Sequence, residues 1–352
     1  MVNARALAPS ETRRLRVPTA GELLRSEAAS ALAALVPAPR MSQLIDLADQ
    51  FPLPVLMACC ECRLDAEDAR VDLALCVLPA SDARTRAAID VREAPDWHSS
   101  LEFLRRWSAF DHELTSAIPF VWVAFDLESE QSALPVPCLG LCVDPVLLPR
   151  RLGLALDGLD AACDPLTLAA STHRMLWGRP LPARTRELMI RALYNTNPLA
   201  TARHFSYMSS RMPATFKLDV RLATAALEPF LARLGWPGPS ARIGPRVREL
   251  APEQSELQLN LVLEPELSQP LEVELLTDPT HATEANRNAL LSRLVALGLC
   301  SRDKAAALSG VGRRRNPHDR AGISWYAKVR VQDDRPCSAK AYACITPRFA
   351  WR

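Results

Sequence analysis

I-S-W-Y-A-K-V-R-V at positions 323–331 and S-A-K-A-Y-A-C-I-T at 338–346, joined by a polar turn through 332–337, decide how the rest of the chain is read. Side chains of a strand alternate between two faces. The first strand puts Ser324, Tyr326, Lys328 and Arg330 on one face and Trp325, Ala327, Val329 and Val331 on the other. The second divides the same way, with Ser338, Lys340 and Tyr342 opposite Ala339, Ala341, Ala343 and Ile345. A solvated edge sheet gives this alternation too. Lysine makes it informative, because the chain holds only Lys217, Lys304, Lys328 and Lys340, every other basic residue being Arg. Three of these four lysines fall on the polar face of a predicted strand, two of them in this hairpin.

The 352 residues are enough for a large core, and 49% hydrophobic with 23% charged residues marks a globular chain. A net charge of +2 gives no electrostatic reason to expect nucleic acid or an anionic membrane as partner. The ten cysteines are irregularly spaced, several inside apolar strands, which predicts buried free thiols of a reducing compartment. No apolar run approaches the roughly 18 residues of a membrane span. Residues 1–18 carry Arg without an apolar core and cleavage site, against a secretory signal. They suit a mitochondrial-type presequence in composition, with a flexible, solvated basic segment preferred and the protein expected in the cytoplasm. Residues 19–352 are expected to form one domain.

Hairpin patterns recur upstream. Residues 55–64 and 70–78 make the first, with Cys59, Glu61, Arg63, Arg70 and Asp72 on its polar face. Residues 120–127 and 134–143 make a second, apolar on both faces, so its orientation stays open. Residues 204–209 and 215–222 make a third, with Lys217, Asp219 and Arg221 sharing a face. The fourth, 257–263 with 271–276, alternates Gln258 and Asn260, then Glu272 and Glu274, with aliphatic residues. Helical stretches separate the hairpins. They begin after the capping-box spacing Thr19-Ala-Gly-Glu22 and include a stripe of Trp97, Leu101, Leu104 and Trp107 and helices near 283–297 and 301–308.

Antiparallel hairpins joined by helices exclude a doubly wound parallel sheet, whose strands each need a crossover. Two architectures remain: open sheets with helices on one face, or a closed barrel. Glu, Asn, Gln, Tyr, Lys and Arg mixed on one face, with lysine concentrated there, favour closure, which also removes the sheet edges. The expected class is α+β, a ten-stranded antiparallel barrel with a polar lumen and a ring of helices.

The five αββα units, over about residues 50–350, resemble the ABBA prenyltransferases, whose barrel encloses the reaction chamber. Lys340-Ala-Tyr342 is a K-x-Y pair of the kind that family carries on successive strands, and Lys328-Val-Arg330 and Lys217-Leu-Asp-Val-Arg221 look like variants. Among its branches the chain is nearest by look to bacterial cyanobactin-type peptide prenyltransferases, with their K-x-x-x-R strand and first-strand Glu, here matched to Glu61.

The resemblance implies an allylic diphosphate and an electron-rich acceptor, either an aromatic compound or a peptide side chain. Inward Lys and Arg would hold the diphosphate and its departing charge: Arg70, Lys217, Arg221, Lys328, Arg330 and Lys340 are the candidates. Tyr207, Tyr326 and Tyr342 would shield the allyl cation with their π faces. With four Tyr in the chain, that shield needs Phe or Trp to complete it. Glu61 would accept or orient the nucleophile's proton, and Asn260, Glu272 and Glu274 would line the lumen. Basic residues can replace Mg²⁺ on the diphosphate, so no metal or other cofactor is required. Each charge on its own also fits a solvated strand face.

Cys59-Cys60-x-Cys62 lacks the other half of a zinc site, and the six His are scattered. A triphosphate-tunnel hydrolase needs E-x-E-x-K, but Glu272-Val-Glu274 is followed by Leu275 and Leu276. A non-catalytic barrel binding a peptide or isoprenoid is the remaining alternative.

Overall fold

Alternation along ten strands closes a barrel with two chemically different faces. The computed structural model describes residues 17–51, 53–65, 69–79, 97–108, 113–127, 135–143, 164–194, 199–211, 214–264, 266–267, 269–277, 282–311, 321–333 and 335–347. Several expectations fall outside these residues: most of the basic N-terminal segment, the run Arg313-Arg314-Arg315, and the helical stretch before Trp97.

The strands are β1 (Val55–Arg63), β2 (Val71–Val77), β3 (Val121–Phe125), β4 (Cys138–Cys142) and β5 (Ala200–Met208). They continue with β6 (Thr215–Ala223), β7 (Glu256–Glu264), β8 (Leu271–Leu275), β9 (Ala321–Gln332) and β10 (Arg335–Pro347). Each pairs antiparallel with its sequence neighbours, and β10 returns to β1 to close the ring. The closing seam sets Cys59 opposite Cys344, Glu61 opposite Tyr342 and Arg63 opposite Lys340. Closure pairs the first strand with the last, removing the two free edge strands that an open sheet would have exposed.

Helices cover the outside. Leu73, Leu75, Val123, Phe125, Leu218, Leu259, Val329 and Ala343 point outward and are fully buried beneath them. Each fully buried aliphatic side chain stabilises the fold by about 2 kcal/mol. Helix starts follow their caps. Thr19 and Glu22 form the expected capping box, Thr283 caps Glu284–Ala296, and Ser301 caps Arg302–Gly310. Trp97 and Trp107 are buried at either end of His98–Trp107.

Two elements differ from the sequence reading. The helix Ser240–Leu250 has Pro245 inside it and a run of Arg, yet Ile243, Val247 and Leu250 bury one face. Tertiary burial there outweighs poor propensity. Strand β5 begins at Ala200, ahead of the expected 204, and a register shift between Ala202 and His204 sits in its pairing with β6.

Candidate active site

The second face of every strand points into the lumen, which holds a cavity of about 690 Å³. Its two halves differ. Strands β1 to β4 contribute a largely apolar wall, including Met57, Ala74, Trp122, Ala124 and Gly140. This settles the orientation of the second hairpin: Trp122 and Ala124 face inward while Val121, Val123 and Phe125 face the helices. Gly140 lies directly across from Trp122, and a Cβ there would sit 3.1 Å from the Trp122 Cβ, so the glycine admits the indole.

The polar half comes from β6 to β10 and the mouth end of β1. Lys217 donates to Glu272 at 2.9 Å. Lys328 lies 3.1 Å from Glu274 and 3.8 Å from Glu272, and donates to the Asn260 side-chain oxygen. Lys340 donates to Glu61, which also pairs with Arg63 at 2.6 Å. Arg63 reaches on to Asp72 at 2.9 Å. Lys328 and Lys340 are direct cross-strand partners, an arrangement that repels unless carboxylates intervene. Glu61 on one side and Glu272 and Glu274 on the other supply them.

Burial and charge pull these groups in opposite directions. Burial alone would raise Glu61, but Lys340, Lys328 and Arg63 hold it well below the usual carboxylate range. Glu272 is depressed as well: Lys217, Lys328 and Lys340 outweigh its burial. Lys328 moves up because Glu274, Glu272, Asp219 and Glu61 overcome its desolvation. Asp219 goes the other way. Burial pushes it up to about 7, Glu274 and Glu272 add to this, and Lys328 and Lys217 oppose it. Asp72 rises to about 6, chiefly through burial and the neighbouring Glu61.

Between the two halves, Tyr326 and Tyr342 stack with ring centroids 4.7 Å apart. The Lys328 ammonium lies 5.2 Å from the Tyr342 ring centre, within cation–π range. A cation held in the lumen would meet the same π faces, with the indole of Trp122 on the apolar side. Among the described residues no group of three or more His, Cys, Asp or Glu is placed to hold a metal. No described helix is long and apolar enough to cross a membrane.

The cavity brings together Glu61, Lys217, Arg221, Asn260, Glu272, Glu274, Tyr326, Lys328, Lys340 and Tyr342. Arg330 stands apart at the rim, its side chain 42% exposed and its Nε 3.8 Å from Glu272. Arg70 precedes β2, is exposed, and does not line the cavity. The strand starts at Val71, so Arg70 lacks the strand conformation that would have aimed it inward. Tyr207 points the wrong way as well. After the shift in β5, His204 and Ser206 face the lumen, leaving Tyr207 on the outer face. It is fully buried there, its hydroxyl 2.7 Å from Thr172 and donating to the Ala169 carbonyl at 3.2 Å.

Cys59 and Cys344 correct the expectation of free thiols. They face each other across the closing seam with Cα atoms 4.1 Å apart and form a disulfide on the lumen side. Seven other described cysteines lie outside any disulfide, six of them buried. Lane by lane, the sequence missed Trp122, Asp72 and Arg63 as parts of the site. Asp72 and Arg63 were visible on the polar face, whereas Trp122 lay in a hairpin with no polar face to orient it.

No protein-family model matches the chain, and no curated protein matches it in sequence. Solved structures do match. AnaPT from Neosartorya fischeri gives a TM-score of 0.57 at 15% identity, over 94% of this chain and 95% of its own. 6-Dimethylallyltryptophan synthase from Micromonospora olivasterospora, in complex with DMASPP and Trp, gives 0.51 at 13% identity, over 92% and 96%. These neighbours are ABBA-type prenyltransferases. The chain has their fold, the closed ten-stranded PT barrel, as the αββα pattern led us to expect.

Proposed function

We propose that the protein transfers a prenyl group from an allylic diphosphate to an electron-rich acceptor inside the barrel. The observation that carries this is the junction of the two half-lumens. Stacked Tyr326 and Tyr342 stand between an apolar wall and the lysines Lys217, Lys328 and Lys340. An allylic diphosphate has the same division, an apolar tail joined to a concentrated anion.

In this reading Lys217, Arg221, Lys328 and Lys340 take the diphosphate oxygens as the C–O bond breaks, with Arg330 at the rim. The electron pair leaves with the diphosphate, and the allyl cation lies against Tyr326, Tyr342 and Trp122 until the acceptor attacks. Glu61, ionised and bound to Lys340, accepts a hydrogen bond from the acceptor's N–H or O–H. It becomes a stronger base when Lys340 turns to the diphosphate, because the charge holding its pKa down is then shared. The acceptor is an aromatic compound or a peptide side chain, and no metal is needed for these roles.

Thermal shift tests the reading. Dimethylallyl, geranyl or farnesyl diphosphate should stabilise the protein without metal, and acceptors incubated with the stabilising donor should gain the mass of one prenyl unit. Stabilisation only by inorganic triphosphate with Mg²⁺ would point instead to a triphosphate hydrolase. A second reading, binding without turnover, is favoured by one feature: Lys217, Lys328 and Lys340 are already paired with carboxylates. Donor binding with no product from any acceptor would support it.

A further inference from the structure

On β6, Lys217, Asp219 and Arg221 line the cavity at alternate positions, so a carboxylate sits in the middle of a basic cradle. Its neighbours are occupied: Lys217 with Glu272, Lys328 with Glu274, and Arg221 at 3.9 Å from Glu256. Asp219 itself is only 7% exposed. Its Oδ2 has the Ser206 hydroxyl at 3.4 Å and His204 Nδ1 at 3.8 Å. Its Oδ1 is buried and has no hydrogen-bond partner among the described residues.

A buried carboxylate oxygen without a donor is costly, and two things relieve it: a cation from the ligand or a proton. Lys217 and Lys328 stand too near for a second cation to be welcome. The cavity is also charge-balanced, with seven Asp and Glu against seven Lys and Arg among its described lining. A multiply charged diphosphate entering that lumen would be repelled by an ionised Asp219 between its binding residues.

We propose that Asp219 binds the donor diphosphate as a neutral carboxylic acid, its otherwise unpartnered oxygen donating a hydrogen bond between Lys217 and Arg221. This rests on the prenyl-donor reading and adds a proton to it: one proton from solvent enters Asp219 as the diphosphate enters the lumen. A carboxyl kept neutral near pH 7 by its surroundings can act as a hydrogen-bond donor. The groups facing Asp219 are consistent with that state. From β5 come Arg203, His204 and Ser206, from β7 Gln258 and Asn260, from β8 Glu272 and Glu274, and from β9 Lys328. Burial, with Glu274 and Glu272, already brings its pKa to about 7, and a bound diphosphate adds further negative charge in the same direction. A proton on His204, whose Nδ1 lies 3.8 Å from Asp219 Oδ2, would favour the ionised form of Asp219 and so oppose the effect.

Calorimetry with dimethylallyl diphosphate, acceptor omitted, tests this between pH 6 and 9 on wild type, Asp219→Asn and His204→Gln. Wild-type affinity should fall by up to about tenfold per pH unit above pH 7, as linkage requires of a group that must gain a proton. Asp219→Asn, a permanent neutral donor, should lose that dependence and bind more tightly than wild type at pH 9, while His204→Gln keeps it. Titration of the diphosphate itself cancels in the comparison. In wild type alone, repeating the titration at pH 8 in buffers of different ionisation enthalpy should reveal proton uptake close to one. Equal pH dependence in wild type and Asp219→Asn, or no proton uptake, overturns the role of Asp219 and leaves the prenyl-donor reading standing. No binding at any pH overturns both.

Discussion

Tyr326 and Tyr342 lie face to face across β9 and β10, their ring planes 1° apart and their centroids separated by 4.7 Å. They are direct cross-strand partners, and Tyr342 also opposes Glu61 across the closing seam. Burial, with Glu61 and Tyr326, raises the Tyr342 hydroxyl well above its ordinary range, so that ring stays neutral and keeps its electron-rich face. The pair touches both halves of the lumen, with Lys328 over the Tyr342 ring and both rings packed into the apolar cluster of Met57, Ala74 and Trp122.

Tyr326→Leu should therefore lower the prenyl-transfer rate constant by about ten- to thirtyfold, the value of a desolvated cation–π contact. Tyr207→Phe should leave the rate unchanged. That hydroxyl is spent on Thr172 and Ala169 in the helix layer, so its loss should cost about 1 kcal/mol of stability instead. Steady-state kinetics and urea unfolding of both variants check the two outcomes together. An equal loss of rate in both would contradict the outward orientation of Tyr207.

Lys340 and Lys304 give a second contrast. Lys340 is bound to Glu61 inside the lumen, whereas Lys304 donates to the carbonyls of Arg63 at 2.9 Å and Asp65 at 2.6 Å, closing the end of β1. Lys340→Ala should weaken dimethylallyl diphosphate binding by at least about tenfold, since it removes a charge-assisted contact. Lys304→Ala should leave affinity intact and lower stability by about 1–3 kcal/mol, because two carbonyls lose their donor. Calorimetry and denaturant titration separate the effects, and similar losses of affinity would sink the assignment of Lys340.

Most of the barrel was legible because period-2 alternation writes one face polar and the other aliphatic. Lys328, Lys340, Glu272 and Asn260 could be placed by counting alone. Counting fails where a strand slips or where both faces are apolar. A register shift before His204 turned Tyr207 outward, and nothing in V-W-V-A-F tells which side meets the lumen until β3 is packed between β2 and β4. The Cys59–Cys344 contact was equally hidden, since their pairing depends on the register of the first strand against the last. Charge pairing is also invisible in one dimension. The sequence marks Lys217 and Glu272 as lumen residues, but only the closed barrel brings them to 2.9 Å.

The raised pKa of Asp219 carries a stability consequence with a definite sign. Its folded value of about 7 lies above the ordinary 3.8, so between those values the folded state holds a proton that the unfolded chain has released. Its contribution thus favours folding at low pH and is lost as pH rises from about 4 to 7. Asp72, raised to about 6, acts in the same direction, while the depressed Glu61 and Glu272 act oppositely. With one pKa unit worth about 1.4 kcal/mol, Asp219→Asn should stabilise the ligand-free protein at pH 8 by roughly 2 kcal/mol. At pH 5 it should change little. Urea unfolding at the two pH values checks this, and an equal effect at both would refute it.

The Cys59–Cys344 bridge joins β1 to β10, the first and last strands of the barrel wall, across 285 residues of sequence. A cross-link at that seam restrains the unfolded chain and keeps the two strands in register beside Glu61 and Tyr342. Ten cysteines less these two leaves eight, so alkylation of the denatured, unreduced protein should label at most eight thiols. Labelling of all ten would show that the bridge is absent. Where it is present, reduction should lower stability by about 2–4 kcal/mol. Cys59→Ser with Cys344→Ser should reproduce that loss and become insensitive to reductant. A reductant effect that persisted in the double variant would have to come from other thiols, and the seam would not be what the bridge secures.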